Sequence, residues 1–212
     1  MRSRHPFLQD EAKAALKKAV ETVESQSAAE VVVSIRPWSG SYRQVDYLLG
    51  ALLSFVGLCY MLYAERVFAL HWIAVLCPML FICGVMLSLA ITPLRRLIAG
   101  RRALQNNVNR ASRAQFYDLG VSRTRDRSGI LVYVSLLERR CDVLPDIGVQ
   151  MKVPADQLAK ALAAIKLTIE EHGVTLKAAH LLAQAVGANT ELLAQYLPRR
   201  SDDINELLDL AE

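Results

Sequence analysis

The sequence predicts an α/β fold: a small mixed sheet with helices on both faces, an α/β/α sandwich, interrupted by a transmembrane helical hairpin. Two nearly uncharged runs, residues 47–64 and 67–91, predict the hairpin. Two apolar, β-branched runs flank it, at 30–36 and 129–137, and predict the sheet. A lone strand would leave its backbone donors and acceptors unpaired, so these two must pair with each other across the insertion. Helical periodicity around them supplies the covering layers.

Leu8, Ala12, Leu16, Ala19, Val20 and Val23 recur at helical spacing and predict an amphipathic helix over about 8–26. The first 30 residues contain no apolar stretch of signal-peptide type, so no secretory leader is expected. Glu30-Val-Val-Val-Ser-Ile-Arg36 then reads as a strand stopped by Pro37.

The apolar share of the chain, 53%, conceals how unevenly it is spread, because Lys, Arg, Asp and Glu are nearly absent from 47–91. The second run exceeds the ~20 residues that a helix needs to cross a ~30 Å hydrocarbon layer, and the first just reaches the range. Glu65 and Arg66 form the turn between them, so the helices are antiparallel neighbours. Arg36 and Arg43 precede the first span and Arg95, Arg96, Arg101, Arg102, Arg110 and Arg113 follow the second, while Arg66 alone would be translocated. Basic residues stay on the cytoplasmic side, which puts both termini in the cytoplasm. Gly50, Gly57 and Gly84 would allow close helix packing, and Pro78 predicts a kink. The rest of the chain is too short to wrap two such helices as a soluble core.

Beyond the hairpin, Pro93 to Asp118 reads as one basic helix ending at Gly120. After a charged turn, Ile130–Leu137 is apolar enough for a central strand buried on both faces, and Cys141–Leu144 returns as its antiparallel neighbour through Glu138-Arg139-Arg140. Leu158, Leu162, Ile165 and Ile169 mark a helix ending near Gly173. A second runs from Val174-Thr175 to Gly187, a third is capped by Asn189 or Thr190, and a weak terminal helix covers Ile204–Leu210. The expected organisation is residues 1–45 and 93–150 as two parts of one cytoplasmic domain, 46–92 as the hairpin, and 151–212 as C-terminal helices.

Several separated stretches resemble the TPM domain family, in a bacterial branch whose domain is interrupted by two membrane helices. They are Ala29–Arg36, Arg123–Arg140, Asp142–Gly148 and Leu197–Leu207, in the family's order. The resemblance covers almost the whole chain. It implies a small α/β/α domain at a membrane. Some secreted or lumenal relatives are credited with weak acid phosphatase activity, some bind calcium, and others act in repair or assembly of membrane complexes. Bacterial members of the membrane branch often neighbour LemA-type membrane proteins, which makes such a protein the implied partner.

The chemistry-bearing residues cluster in sequence at 123–146. Arg123, Arg125, Arg127, Arg139 and Arg140 are the candidates for binding phosphate or lipid headgroups. Asp126, Asp142 and Asp146 could hold calcium or magnesium through oxygen, and no other cofactor is expected. No P-loop, HExxH or nucleophile elbow occurs, and the four histidines build no triad, so no catalytic residue is assigned. The four cysteines have neither zinc-ligand nor redox spacing. Net charge is +4, its excess concentrated beside the spans, where anionic lipid accounts for it without nucleic acid. The expected function is an interaction or scaffold protein of the membrane, with lipid and a membrane protein as partners. The alternative is a weak metal-dependent phosphatase.

Overall fold

A computed structural model describes residues 5–66, 68–199, 207 and 210–211. Contacts divide the chain into two compact units, one of residues 1–39 and 105–212, the other of 40–104.

The first unit is built on a four-stranded mixed sheet in the order β3-β2-β1-β4. Strands β1 (Glu30–Arg36) and β2 (Gly129–Ser135) pair in parallel from Glu30↔Gly129 to Arg36↔Ser135, as backbone accounting requires of the two apolar runs. Strand β3 (Arg140–Pro145) returns antiparallel to β2. Strand β4 (Leu210–Ala211) lies parallel to β1 beside Val33 and Ser34. Leu210 is therefore a strand residue and not the end of a helix, because the outer edge of β1 offers it hydrogen-bond partners. Most of the expected helix 204–210 lies outside the described residues.

Period-two alternation sends β1 and β2 side chains to two covered faces. On one face Val31, Val33, Ile35, Ile130, Val132 and Val134 pack under α1 (Asp10–Gln26), α7 (Ala155–His172), α8 (Leu176–Gly187) and α9 (Thr190–Tyr196). Helix α1 presents Ala12, Leu16, Val20 and Val23 to that layer. On the other face Val32, Leu131 and Tyr133 meet Val108 and Phe116 of α5 (Arg101–Asp118). Strand β2 is buried along its whole length, as its apolar run predicts.

The second unit holds α2 (Arg43–Tyr63) and α3 (Leu70–Ala90), followed by α4 (Thr92–Ala99). Helices α2 and α3 are long and apolar enough to cross a membrane, and only 11% of each apolar window is buried, whereas a core helix would be mostly buried. Helix α2 begins earlier than the first apolar run, at Arg43, and α3 later than the second, at Leu70, so the link is longer than the Glu65-Arg66 pair. Gly50 and Gly84 let the helices touch backbone to backbone: a Cβ on Gly84 would lie 2.7 Å from Gly50 Cα. Ser54 Oγ donates to the Cys77 carbonyl at 2.9 Å across the same pair.

The single basic helix expected over 93–118 is two helices. Gly100, at φ +77°, takes a left-handed conformation open to glycine and ends α4 before α5 begins. Helix α6 (Ile147–Lys152) was not legible as a helix, being six residues long and carrying Gly148 near its start.

Candidate functional site

The charged segment from 123 to 146 does not converge on one point. Arg123, Arg125 and Arg127 precede β2, whereas Arg139 and Arg140 follow it, so a seven-residue strand separates the two groups. At ~3.3 Å per residue that separation is about 20 Å, too far for one phosphate. Arg140 is held by Gln105, its Nη1 donating to Oε1 at 2.6 Å, with Glu170 Oε1 at 3.7 Å. Arg139, exposed in the β2–β3 turn, has φ +51°. Arg123 and Arg125 are exposed.

Arg127 and Asp146 form a bidentate pair, Nε to Oδ2 at 2.7 Å and Nη2 to Oδ1 at 3.1 Å. Asp146 is 4% exposed and also accepts the Ile147 amide at 2.7 Å, capping α6. Its hydrogen bonds hold the Arg127 guanidinium above its ordinary pKa. Gly148 completes the lock: a Cβ there would stand 2.3 Å from the Asp126 carbonyl oxygen, so only glycine lets α6 lie against this turn. Asp142 lies in mid-strand, accepting from Ser112 Oγ at 2.6 Å and paired with Lys166 Nζ at 2.8 Å. Asp142 and Asp146 thus have different partners, and the described residues contain no group of three His, Cys, Asp or Glu side chains able to hold a metal ion.

A polar seam, unforeseen from sequence, runs between α5 and the sheet at the C-terminal ends of β1 and β2. Gln115 Oε1 accepts from Arg36 Nη2 at 2.6 Å, Arg36 Nε at 3.2 Å and Ser34 Oγ at 3.4 Å. Beside it, Ser39 Oγ donates to Ser135 Oγ at 2.7 Å, and Ser135 Oγ donates to the Glu138 carboxylate. Each serine has one proton to give, so the 2.9 Å contact between Tyr133 Oη and Ser39 Oγ runs from tyrosine to serine. Glu138 Oε1 accepts the Ser39 amide at 2.9 Å. The chain Tyr133 to Ser39 to Ser135 to Glu138 fastens the last residue of the sheet unit before the inserted helices. Burial pushes the Tyr133 phenol above its ordinary pKa, and the bond with Ser39 offsets part of that. The signal was present in the sequence: Ser34 and Arg36 in β1, and Tyr133 and Ser135 in β2, break the apolar pattern at alternate positions of paired strands.

An open groove of about 410 Å³ lies between α5 and α6, lined by Arg113, Phe116, Tyr117, Leu144, Pro145, Asp146, Ile147 and Gln150. Tyr117 is 66% exposed and Met151, one turn beyond Ile147, is 79% exposed. Within the other unit, Asp46 is buried and accepts from Ser88 Oγ at 2.7 Å and Arg95 Nε at 2.7 Å, with Arg95 Nη2 on its second oxygen. This fork ties α4 to both long helices.

These features define an α/β domain with a mixed four-stranded sheet into which two membrane-length helices are inserted. The particular likeness is to the BA42 protein of the psychrophilic bacterium Bizionia argentinensis sp. nov., whose NMR structure matches at a TM-score of 0.57 with 16% identity, over 100% of this chain and 99% of that one. At that identity the likeness is one of fold, and the fold is TPM-like. No protein-family model matches the chain. No curated protein matches it.

Proposed function

We propose that this chain is a membrane-anchored interaction protein of the TPM family's membrane branch, tethered by α2 and α3 and docking a membrane protein during assembly or maintenance of a complex. The observation that carries this reading is the nature of the insertion. Two strands that hydrogen-bond along their full length are separated in sequence by helices whose outer surface is Leu48, Leu52, Phe55, Val56, Val75, Met79, Ile82 and Met86, all exposed. Such a surface needs lipid as its solvent. Basic residues flank the spans on the chain-terminal side, which favours cytoplasmic termini at a bacterial inner membrane.

The fold supplies a rigid module and the insertion a fixed address, which together suit docking better than turnover. A LemA-type protein is the first partner to seek, on the strength of the family resemblance. The test is affinity purification of the full chain from native membranes in mild detergent. A stable stoichiometric membrane partner is expected. Recovery of the chain alone, at native expression level, overturns the reading.

A further inference from the structure

We infer that the groove between α5 and α6 is the docking site for that partner, and that it receives a segment combining carboxylates with a large apolar side chain. The inference rests on the interaction reading above and gives it a surface and a chemistry.

Shape favours an occupant that inserts a side chain. The groove is a recess of about 410 Å³ floored by Phe116, Leu144 and Pro145. A bilayer surface meets flat or convex protein, whereas a recess is filled by something that inserts a side chain. Apolar lining residues face solvent on both sides: Tyr117 on α5 and Ile147 on α6 are 66% and 48% exposed. Tyrosine and arginine side chains beside a pocket are among those from which interface hot spots are drawn.

Charge fixes the rest of the ligand. Arg113 lines the groove, and Arg110, one turn earlier on α5, is also exposed. Lys152 ends α6 and is exposed. The lining's acid, Asp146, is engaged by Arg127 and by the α6 amide, so its charge is answered within the fold. Asp118 stands about 140° around the helix from Arg113 and turns away from the recess. The open face is therefore apolar with a positive margin. Its complement is an acidic, apolar peptide.

The experiment uses the full chain in its own membranes, with p-benzoylphenylalanine placed at Tyr117 or at Ile147 and, as a control, at exposed Leu167 of α7. Irradiation should join both groove positions, and not the control, to one partner. The joined peptide should carry net negative charge and at least one large apolar residue. Arg113→Glu in the same background should lower the yield about tenfold, as like charges at an interface do, and Arg113→Lys should retain most of it. Adducts with lipid, with a second copy of this chain or with a non-acidic segment overturn the inference, as does an absence of adducts. If affinity purification finds a stable partner that neither groove position touches, the groove is wrong and the interaction reading stands. If neither method finds a partner, both fall.

Discussion

Replacing Glu138 by alanine removes the carboxylate that terminates the chain of hydroxyls at the exit from β1. Glu138 is 3% exposed, and it accepts from the Ser39 amide and the Ser135 hydroxyl. Both donors would then be buried without their acceptor, at ~1–3 kcal/mol each, so the variant should lose about 2–6 kcal/mol. For a unit of this size each kcal/mol lowers the melting temperature by about 2–4 °C. Glu138→Gln is the informative partner. Its amide oxygen still serves the Ser39 amide, but its NH₂ meets a serine that is itself donating. The hydroxyls can reverse, with Ser135 donating to Ser39 and Ser39 to Tyr133, leaving only the Tyr133 proton to be rehoused. The expected loss is about 1–2 kcal/mol. Thermal unfolding of the full chain in detergent micelles, read by near-UV circular dichroism, orders the variants. Wild type should exceed Glu138→Gln, which should exceed Glu138→Ala, and proteolysis at 37–42 should rise in the same order. An alanine variant within about 2 °C of wild type, or a glutamine variant worse than alanine, refutes the proton directions assigned here.

Other perturbations address other parts of the molecule. Gly84→Val should push α2 and α3 apart, since its Cβ would meet Gly50 Cα at 2.7 Å and the Leu49 carbonyl at 2.9 Å; a loss of about 1–3 kcal/mol in micelle stability is expected. Gly187→Ala, with open space around it at the end of α8, should be neutral or stabilising by up to about 1 kcal/mol, and a large loss there would discredit the packing argument. Asp46→Ala should destabilise far more than the pair Asp46→Leu with Arg95→Met, because one change strands a charge and the other removes both; equal losses would contradict this. His5 should make stability fall in acid. Burial and Arg139 lower its pKa below 6.5, so the folded chain binds fewer protons than the unfolded one. The stability it leaves intact above 6.5 is lost as pH falls from 6.5 through the depressed folded value. His5→Asn, which keeps an acceptor for the Phe7 amide, should flatten that slope in pH-dependent melting. Finally, phosphatase assays with calcium or magnesium should give equal background for wild type and Asp126→Ala/Asp146→Ala. Metal-stimulated turnover lost in the double variant would favour the enzymatic alternative.

Sequence alone determined the parts whose signals are local or periodic. The strand Glu30–Arg36 is set by a β-branched run and a proline, the buried β2 by an unbroken apolar stretch, and the inserted hairpin by two lengths of chain without charge. Pairing of the two strands followed because unpaired backbone groups are intolerable inside a protein. Tertiary structure decided which charges meet. Arg127 and Asp146 stand 19 positions apart in sequence yet share two hydrogen bonds, while Arg127 and Arg139, only 12 apart, sit at opposite ends of a strand. Ser39 and Glu138 are 99 positions apart and meet only because β1 and β2 run side by side. Hydrophobic burial leaves a periodic trace in the chain. A hydrogen bond between distant side chains leaves at most a break in that pattern, as at Ser34 and Tyr133, with nothing to name the partner, and a groove formed where two helices happen to pass leaves no trace.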